Sequence, residues 1–148
     1  SPDNNAMLFA GRDDWTNYRA EVDVKNTDPA ALTQASLLIR ATNESSFPDQ
    51  VKDSFMGYEV AFRNGRLVLN KVSYEQVKEV DGASFDLPAN RFVHLSVEAD
   101  RSRLKVSLNG KLMLQWDDPD AFLYGKVGIR STDPSWTFAN LSVTFLGS

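Results

Sequence analysis

Apolar and polar side chains alternate with a period of two through nearly the whole chain. In Tyr18-Arg19-Ala20-Glu21-Val22-Asp23-Val24-Lys25 the residues Ala20, Val22 and Val24 fall on one face. Arg19, Glu21, Asp23 and Lys25 fall on the other, the pattern of a half-buried strand and not of a helix. The same parity turns Tyr58, Val60 and Phe62 inward from 57–63, and Val93, Leu95, Val97 and Ala99 from 92–100. It does so again for Leu104, Val106 and Leu108 from 103–108, and a further run covers 136–145. Asn64-Gly65 and Asn109-Gly110 each separate two such runs, and Asn-Gly accepts positive φ at both central positions of a tight hairpin. Asp81-Gly82 and Asp100-Arg101-Ser102-Arg103 predict further turns. Ten or eleven strands with few if any helices predict an all-β fold, an antiparallel two-sheet sandwich. The irregular stretches are 43–55, which contains Pro48, then 117–120 and 131–135; long loops in a compact domain tend to carry function.

Composition narrows the possibilities. A chain of 148 residues is long enough for one domain with a hydrophobic core, so residues 1–148 are read as a single domain. Ser1-Pro2-Asp3-Asn4-Asn5 shows neither an initiating methionine nor a targeting pattern, and the expectation is a segment of a longer protein. The net charge of −4, with basic residues scattered, argues against a nucleic-acid partner. No apolar stretch approaches the roughly 18 residues of a membrane helix, so no membrane partner is expected. The absence of cysteine excludes disulfides, thiolate metal sites and a cysteine nucleophile.

Eight segments carry a family resemblance. They are W-T-N-Y-R-A-E-V-D-V (15–24), A-S-L-L-I-R-A (35–41), G-Y-E-V-A-F (57–62), N-G-R-L-V-L-N-K (64–71), R-F-V-H-L-S-V-E (91–98), L-K-V-S-L-N-G-K (104–111), G-K-V-G-I-R-S (125–131) and F-A-N-L-S-V (138–143). Together they resemble the concanavalin-like lectin/glucanase superfamily. Within it the chain is similar to family 66 carbohydrate-binding modules, which accompany fructan-cleaving and other secreted glycoside hydrolases. The resemblance implies a jelly-roll sandwich and an extracellular location. It also implies a polysaccharide or oligosaccharide ligand, such as the terminal fructose of levan, and a tethered catalytic domain. The expected module is non-catalytic and monomeric.

Candidate binding residues follow from strand parity. If Leu37, Ile39 and Ala41 face the core, then Ser36, Leu38 and Arg40 face away, as do Glu59, Ala61 and Arg63, and Gly128 and Arg130. Arginine offers fixed donors and a carboxylate accepts from vicinal hydroxyls. Arg40, Glu59 and Arg130 are therefore expected to converge on a sugar, with Ser36, Ala61 and Gly128 leaving room for its ring. Trp136, after Asp133-Pro134-Ser135, is the expected stacking aromatic and Tyr124 the second choice. Trp15 and Trp116 are expected in the core or at its edge. Asn43, Glu44, Asp53 and Arg63 complete the candidate set at the rim.

Other chemistry is represented more thinly. Glu21 and Asp23 resemble the catalytic strand of family 16 glycoside hydrolases, in which closely spaced carboxylates act together, but Lys25 and Asn26 stand where a further acid belongs. His94, the single histidine, lies on the non-core side of its strand. No residue is assigned a catalytic or metal-binding role and no cofactor is required. Asp117, Asp118 and Asp120 have the oxygen ligands a structural calcium takes, but their spacing matches no defined calcium loop and a solvated turn is the default expectation. Asn43-Glu44-Ser45 and Asn140-Leu141-Ser142 match the glycosylation sequon. The alternatives to sugar binding are a hydrolase using Glu21 and Asp23, or an interaction sandwich without a sugar site.

Overall fold

The computed structural model describes residues 6–28, 33–45, 54–74 and 76–147. Eleven strands are formed: β1 (Ala6–Ala10), β2 (Tyr18–Asn26), β3 (Gln34–Ser45), β4 (Ser54–Arg63), β5 (Arg66–Ser73), β6 (Gln76–Ser84), β7 (Val93–Asp100), β8 (Arg103–Leu108), β9 (Lys111–Asp117), β10 (Lys126–Ser131) and β11 (Trp136–Phe145). They build two antiparallel sheets, one in the order β1-β10-β3-β4-β5-β6 and the other β11-β2-β7-β8-β9. The expected two-sheet sandwich is the observed fold.

Period-two alternation creates the layer between the sheets. Ala20, Val22 and Val24 of β2 and Val93, Leu95 and Val97 of β7 meet Leu37, Ile39, Val60, Phe62, Leu67 and Leu69 of the facing sheet, all buried. Each Val, Leu, Ile or Phe side chain in it contributes about 1.5–3 kcal/mol relative to exposure, and this layer is the main source of stability. The two Asn-Gly hairpins have their asparagines and glycines at positive φ (Asn64 51°, Gly65 74°; Asn109 50°, Gly110 83°). Each hairpin sets the register of the strands it joins: Arg63 stands opposite Arg66, and Leu108 opposite Lys111.

Two local expectations need correction. Asp81-Gly82 is not a turn but lies inside β6, with Gly82 opposite Val68. The missing side chain lets the Arg66 guanidinium cross the strand and pair with Glu79 at 3.2 Å. The irregular stretch expected at 43–55 is shorter, because β3 continues to Ser45 and β4 starts at Ser54; Pro48 lies outside the described residues.

The second face of the six-stranded sheet is also largely buried. Leu38, Ala41, Phe55 and Val72 form a smaller apolar cluster with Met7 and Phe9 of β1. Ala61 and Val68 are buried as well. Phe9 fills the space expected beside Gly128: a Cβ there would stand 2.7 Å from the Phe9 ring.

Candidate functional site

Register gathers polar groups on this second face. Ser36 of β3 stands between Arg130 of β10 and Ala61 of β4, and Glu59 of β4 stands between Leu38 and Asn70 of β5. Glu59 is only 3% exposed, a depth at which glutamate is found almost only when paired. Its carboxylate accepts from Ser36 Oγ (2.7 Å) and Gln34 Nε2 (3.3 Å) on one oxygen and from Asn70 Nδ2 (3.1 Å) on the other. The Arg130 guanidinium lies 4.0 Å from it, with its side chain 30% exposed. A carboxylate has about four lone-pair sites, so three donors leave room for one more. Gln34 and Arg130 are the members that reach solvent. The cluster is a buried anion that orients donors presented at the surface.

Of the expected residues, Glu59 and Arg130 come together, and Trp136 and Arg63 share a neighbouring cavity at the end of the sandwich. Gln34 links the two places, since it stands opposite Arg63 in the β3–β4 ladder and donates to Glu59. Tyr124 is 56% exposed but belongs to the opposite end, where the adjacent Gly125 N–H donates to Trp15 O at 2.9 Å. Asn43 is exposed, with φ at 55° and its amide 3.6 Å from Met56 Sδ. Glu44 falls in β3, its side chain outside the described set, and Asp53 lies outside the described residues. Gln34 and Asn70 were missed as site residues. Asn70 shares the parity of Arg66 and Val68, and that alternation was the available signal.

The outward Arg40 expected from parity is corrected. The β3–β4 register shifts between Ile39 and Thr42, Arg40 has φ at 49°, and its side chain is fully buried. A bulge adds one residue and reverses the faces that follow. The guanidinium donates to Thr16 O (3.1 Å), Phe122 O (2.9 Å), Arg101 O and Asn17 Oδ1 (3.2 Å). The Arg40 N–H donates to Tyr18 Oη (2.6 Å), which itself donates to Gly125 O (3.1 Å). Burial pushes the Tyr18 phenol up to about 12, against the pull of Arg40. Gly125 has φ at 146° and sits so close to the Arg40 backbone that a Cβ would collide with it. This constellation closes one end of the sandwich and leaves Arg40 no surface for a sugar.

The acidic loop is committed elsewhere. Asp118, 2% exposed, accepts from Tyr58 Oη (2.7 Å) and Asp120 N (2.9 Å) and pairs with Lys71 (2.8 Å). Burial raises its carboxyl, yet Lys71 and Tyr58 outweigh that and hold it below the ordinary value. Asp117 accepts from Ser102 Oγ. Among the described residues no group of three or more His, Cys, Asp or Glu side chains is placed to hold a metal ion. With Lys71 already neutralising Asp118, the donor set of this loop is a poor fit to a structural calcium.

Glu21 and Asp23 lie on the outer face of the five-stranded sheet, and His94 of β7 stands between them. Its Nε2 is 2.9 Å from Glu21 Oε1 and its Nδ1 2.8 Å from Asp23 Oδ1. Glu21 first and Asp23 second raise the imidazole above its ordinary value. His94 lowers Glu21, and Asn140 followed by His94 lowers Asp23. A raised imidazole contributes stability fully below its unfolded value of about 6.5 and loses it as pH rises through the folded value. All three groups are solvated, so the effect is small. His94→Gln is expected to melt about 1–3 °C below the parent at pH 6, with the difference shrinking toward pH 9. Thermal melts followed by circular dichroism across that range check this.

The comparisons with known proteins agree with the architecture. The structure resembles the family 66 carbohydrate-binding module from Bacillus subtilis with a TM-score of 0.78 and 17% identity, over 95% of this chain and 82% of that one. Sheep galectin-11, solved with glycerol, gives 0.67 and 10% over 95% and 98% of the two chains. The Caenorhabditis elegans galectin LEC-6 gives 0.66 and 13% over 94% and 89%. At these identities the likeness is one of fold. No curated protein sequence matches the chain. A family model does match, across residues 1–144, and by it the chain belongs to the family described as the 3-keto-alpha-glucoside-1,2-lyase-like domain.

Proposed function

We propose that this domain recognises a glycan at the Glu59–Arg130 cluster on the outer face of the six-stranded sheet. The observation that carries the reading is a buried carboxylate whose donors are fixed on β3 and β5 and whose ion-pair partner Arg130 stands on β10, with Arg130 and Gln34 presented to solvent. Such preorganised donors bind hydroxyls without first having to be ordered. The likeness to a carbohydrate-binding module and to galectins supports it. In this reading the domain is extracellular and holds a tethered catalytic domain on its polysaccharide, raising the effective substrate concentration. Calorimetric titration with levan oligosaccharides and with maltotriose tests it. Saturable binding of either, weakened in Arg130→Ala, is the expected result; no heat from either glycan overturns it.

The family model favours a second reading, lysis of a 3-keto-α-glucoside. The ketone at C3 acidifies the C2–H; a base takes that proton, the C1–O bond breaks and the alcohol departs with a proton. Glu59 is the carboxylate in the polar cluster that would act as the base. Methanol release from methyl 3-keto-α-glucopyranoside, absent in Glu59→Gln, would establish this reading over simple recognition.

A further inference from the structure

The end cavity holds groups that the Glu59 cluster does not use. It has a volume of about 250 Å³ and is lined by Thr33, Phe62, Arg63, Phe85, Asp86 and Trp136, among others. Its apolar wall is a row of three rings: Trp136 stacks on Phe62 at 6.1 Å and 23°, and Phe62 meets Phe85 at 6.1 Å and 48°. Two hydrogen bonds hold that wall. The Trp136 indole N–H donates to Thr33 Oγ1 at 2.9 Å, and Phe85 N donates to Gly65 O at 3.0 Å. The rim is polar, and two of its groups are uncommitted: among the described residues neither Arg63 nor Asp86 has a hydrogen-bond or ion-pair partner.

An aromatic wall with free donors and acceptors at its edge suits a ligand with one apolar face and a hydroxylated periphery. Charge excludes an anion as the better fit. Arg66 is neutralised by Glu79, and Arg63 and Asp86, which both line the cavity, carry opposite charges that sum to zero. The volume lies just below the usual range for drug-sized ligands, which favours a single sugar ring over anything larger. Arg63 lies four positions beyond Glu59 on β4, about 14 Å along the strand, and Gln34 donates to Glu59 while standing opposite Arg63 in the ladder.

Resting on the glycan reading above, we infer that this end cavity is a second subsite of the same binding surface. It takes one ring of an oligosaccharide through Trp136, Arg63 and Asp86 while another ring of that ligand engages Arg130 and Gln34. The domain then distinguishes oligosaccharides from monosaccharides, because one ring cannot occupy both places.

Amide and indole NMR spectra of the intact chain test this, with levan oligosaccharides and maltotriose as probes and fructose and methyl α-glucopyranoside as single-ring controls. The Trp136 indole signal, one of three in the chain, is identified by its loss in Trp136→Phe. An oligosaccharide is expected to shift the Trp136 indole and the Phe85 amide together with Gln34 and Arg130. The Arg63→Ala/Asp86→Ala variant, altered at exposed positions only, is expected to bind the oligosaccharide about tenfold more weakly, or about 1.4 kcal/mol, and the single rings as before. Suppose the oligosaccharide binds and is weakened by Glu59→Gln, yet leaves the indole unmoved and the double variant unaffected. The subsite is then overturned while recognition stands. If no probe moves either set of signals, both readings fall.

Discussion

Arg40→Ala is expected to lower the unfolding free energy by about 3–5 kcal/mol, and to do so without removing a ligand contact. The substitution removes donors to three backbone carbonyls and to Asn17, at a fully buried position. The carbonyls of Thr16, Arg101 and Phe122 would lose the charged donor that now satisfies all three at once. Relief of the buried cation offsets part of the loss, since burial already works against the guanidinium charge. For a domain of this size about 3 kcal/mol corresponds to a melting point lower by roughly 6–12 °C. Thermal denaturation followed by circular dichroism checks the stability. Titration below the transition checks that glycan affinity is unchanged. A melting point equal to the parent's would refute this account of Arg40, and lost affinity in a folded variant would return it to the site.

The second large effect belongs to Glu59. Glu59→Ala removes the acceptor of three donors, two of them on the buried side chains Ser36 and Asn70. Each unsatisfied buried group costs about 1–3 kcal/mol, so a loss of roughly 2–4 kcal/mol in stability is expected. Glu59→Gln keeps the shape and part of the hydrogen bonding but removes the negative charge beside Arg130. It is expected to melt within a few degrees of the parent and to bind the levan oligosaccharide or maltotriose at least about tenfold more weakly, or about 1.4 kcal/mol. Titrating the glutamine variant alongside its thermal melt separates affinity from folding. Unchanged affinity in that variant would remove Glu59 from the binding surface.

The inward-facing positions were legible because burial on one face writes itself into a period-two pattern. Ala20, Val22 and Val24 read directly, as did Leu104, Val106 and Leu108. The second face of the six-stranded sheet was harder, because β3 to β5 are buried on both sides. A run such as Leu37-Leu38-Ile39, all fully buried, carries no alternation from which to infer which side holds a site. Arg40 shows the sharper failure. Parity is a counting rule, and one added residue at a bulge inverts it; no glycine or proline at 39–42 marks the bulge in the sequence. The outward orientation of Glu59 and Arg130 was readable because no bulge intervenes between their strands' reference positions and their own. Alternation could have turned Asn70 outward, but what Gln34 and Asn70 touch across the sheet became visible only when the register of three strands was known.

At its open edge the five-stranded sheet is guarded against adding further strands by an irregularity in β11. β11 is the outer strand of its sheet, and ten residues of exposed edge would be a template for adding strands from other molecules. The ladder to β2 breaks between Ala139 and Ser142, and Asn140 turns into the left-handed region at φ 58°. What remains regular is Trp136–Ala139 and Ser142–Phe145, two runs each too short to seed the extended, flat pairing from which fibrils grow. Straightening this edge by deleting one residue at 140–141 would turn a guarded border into a growth surface.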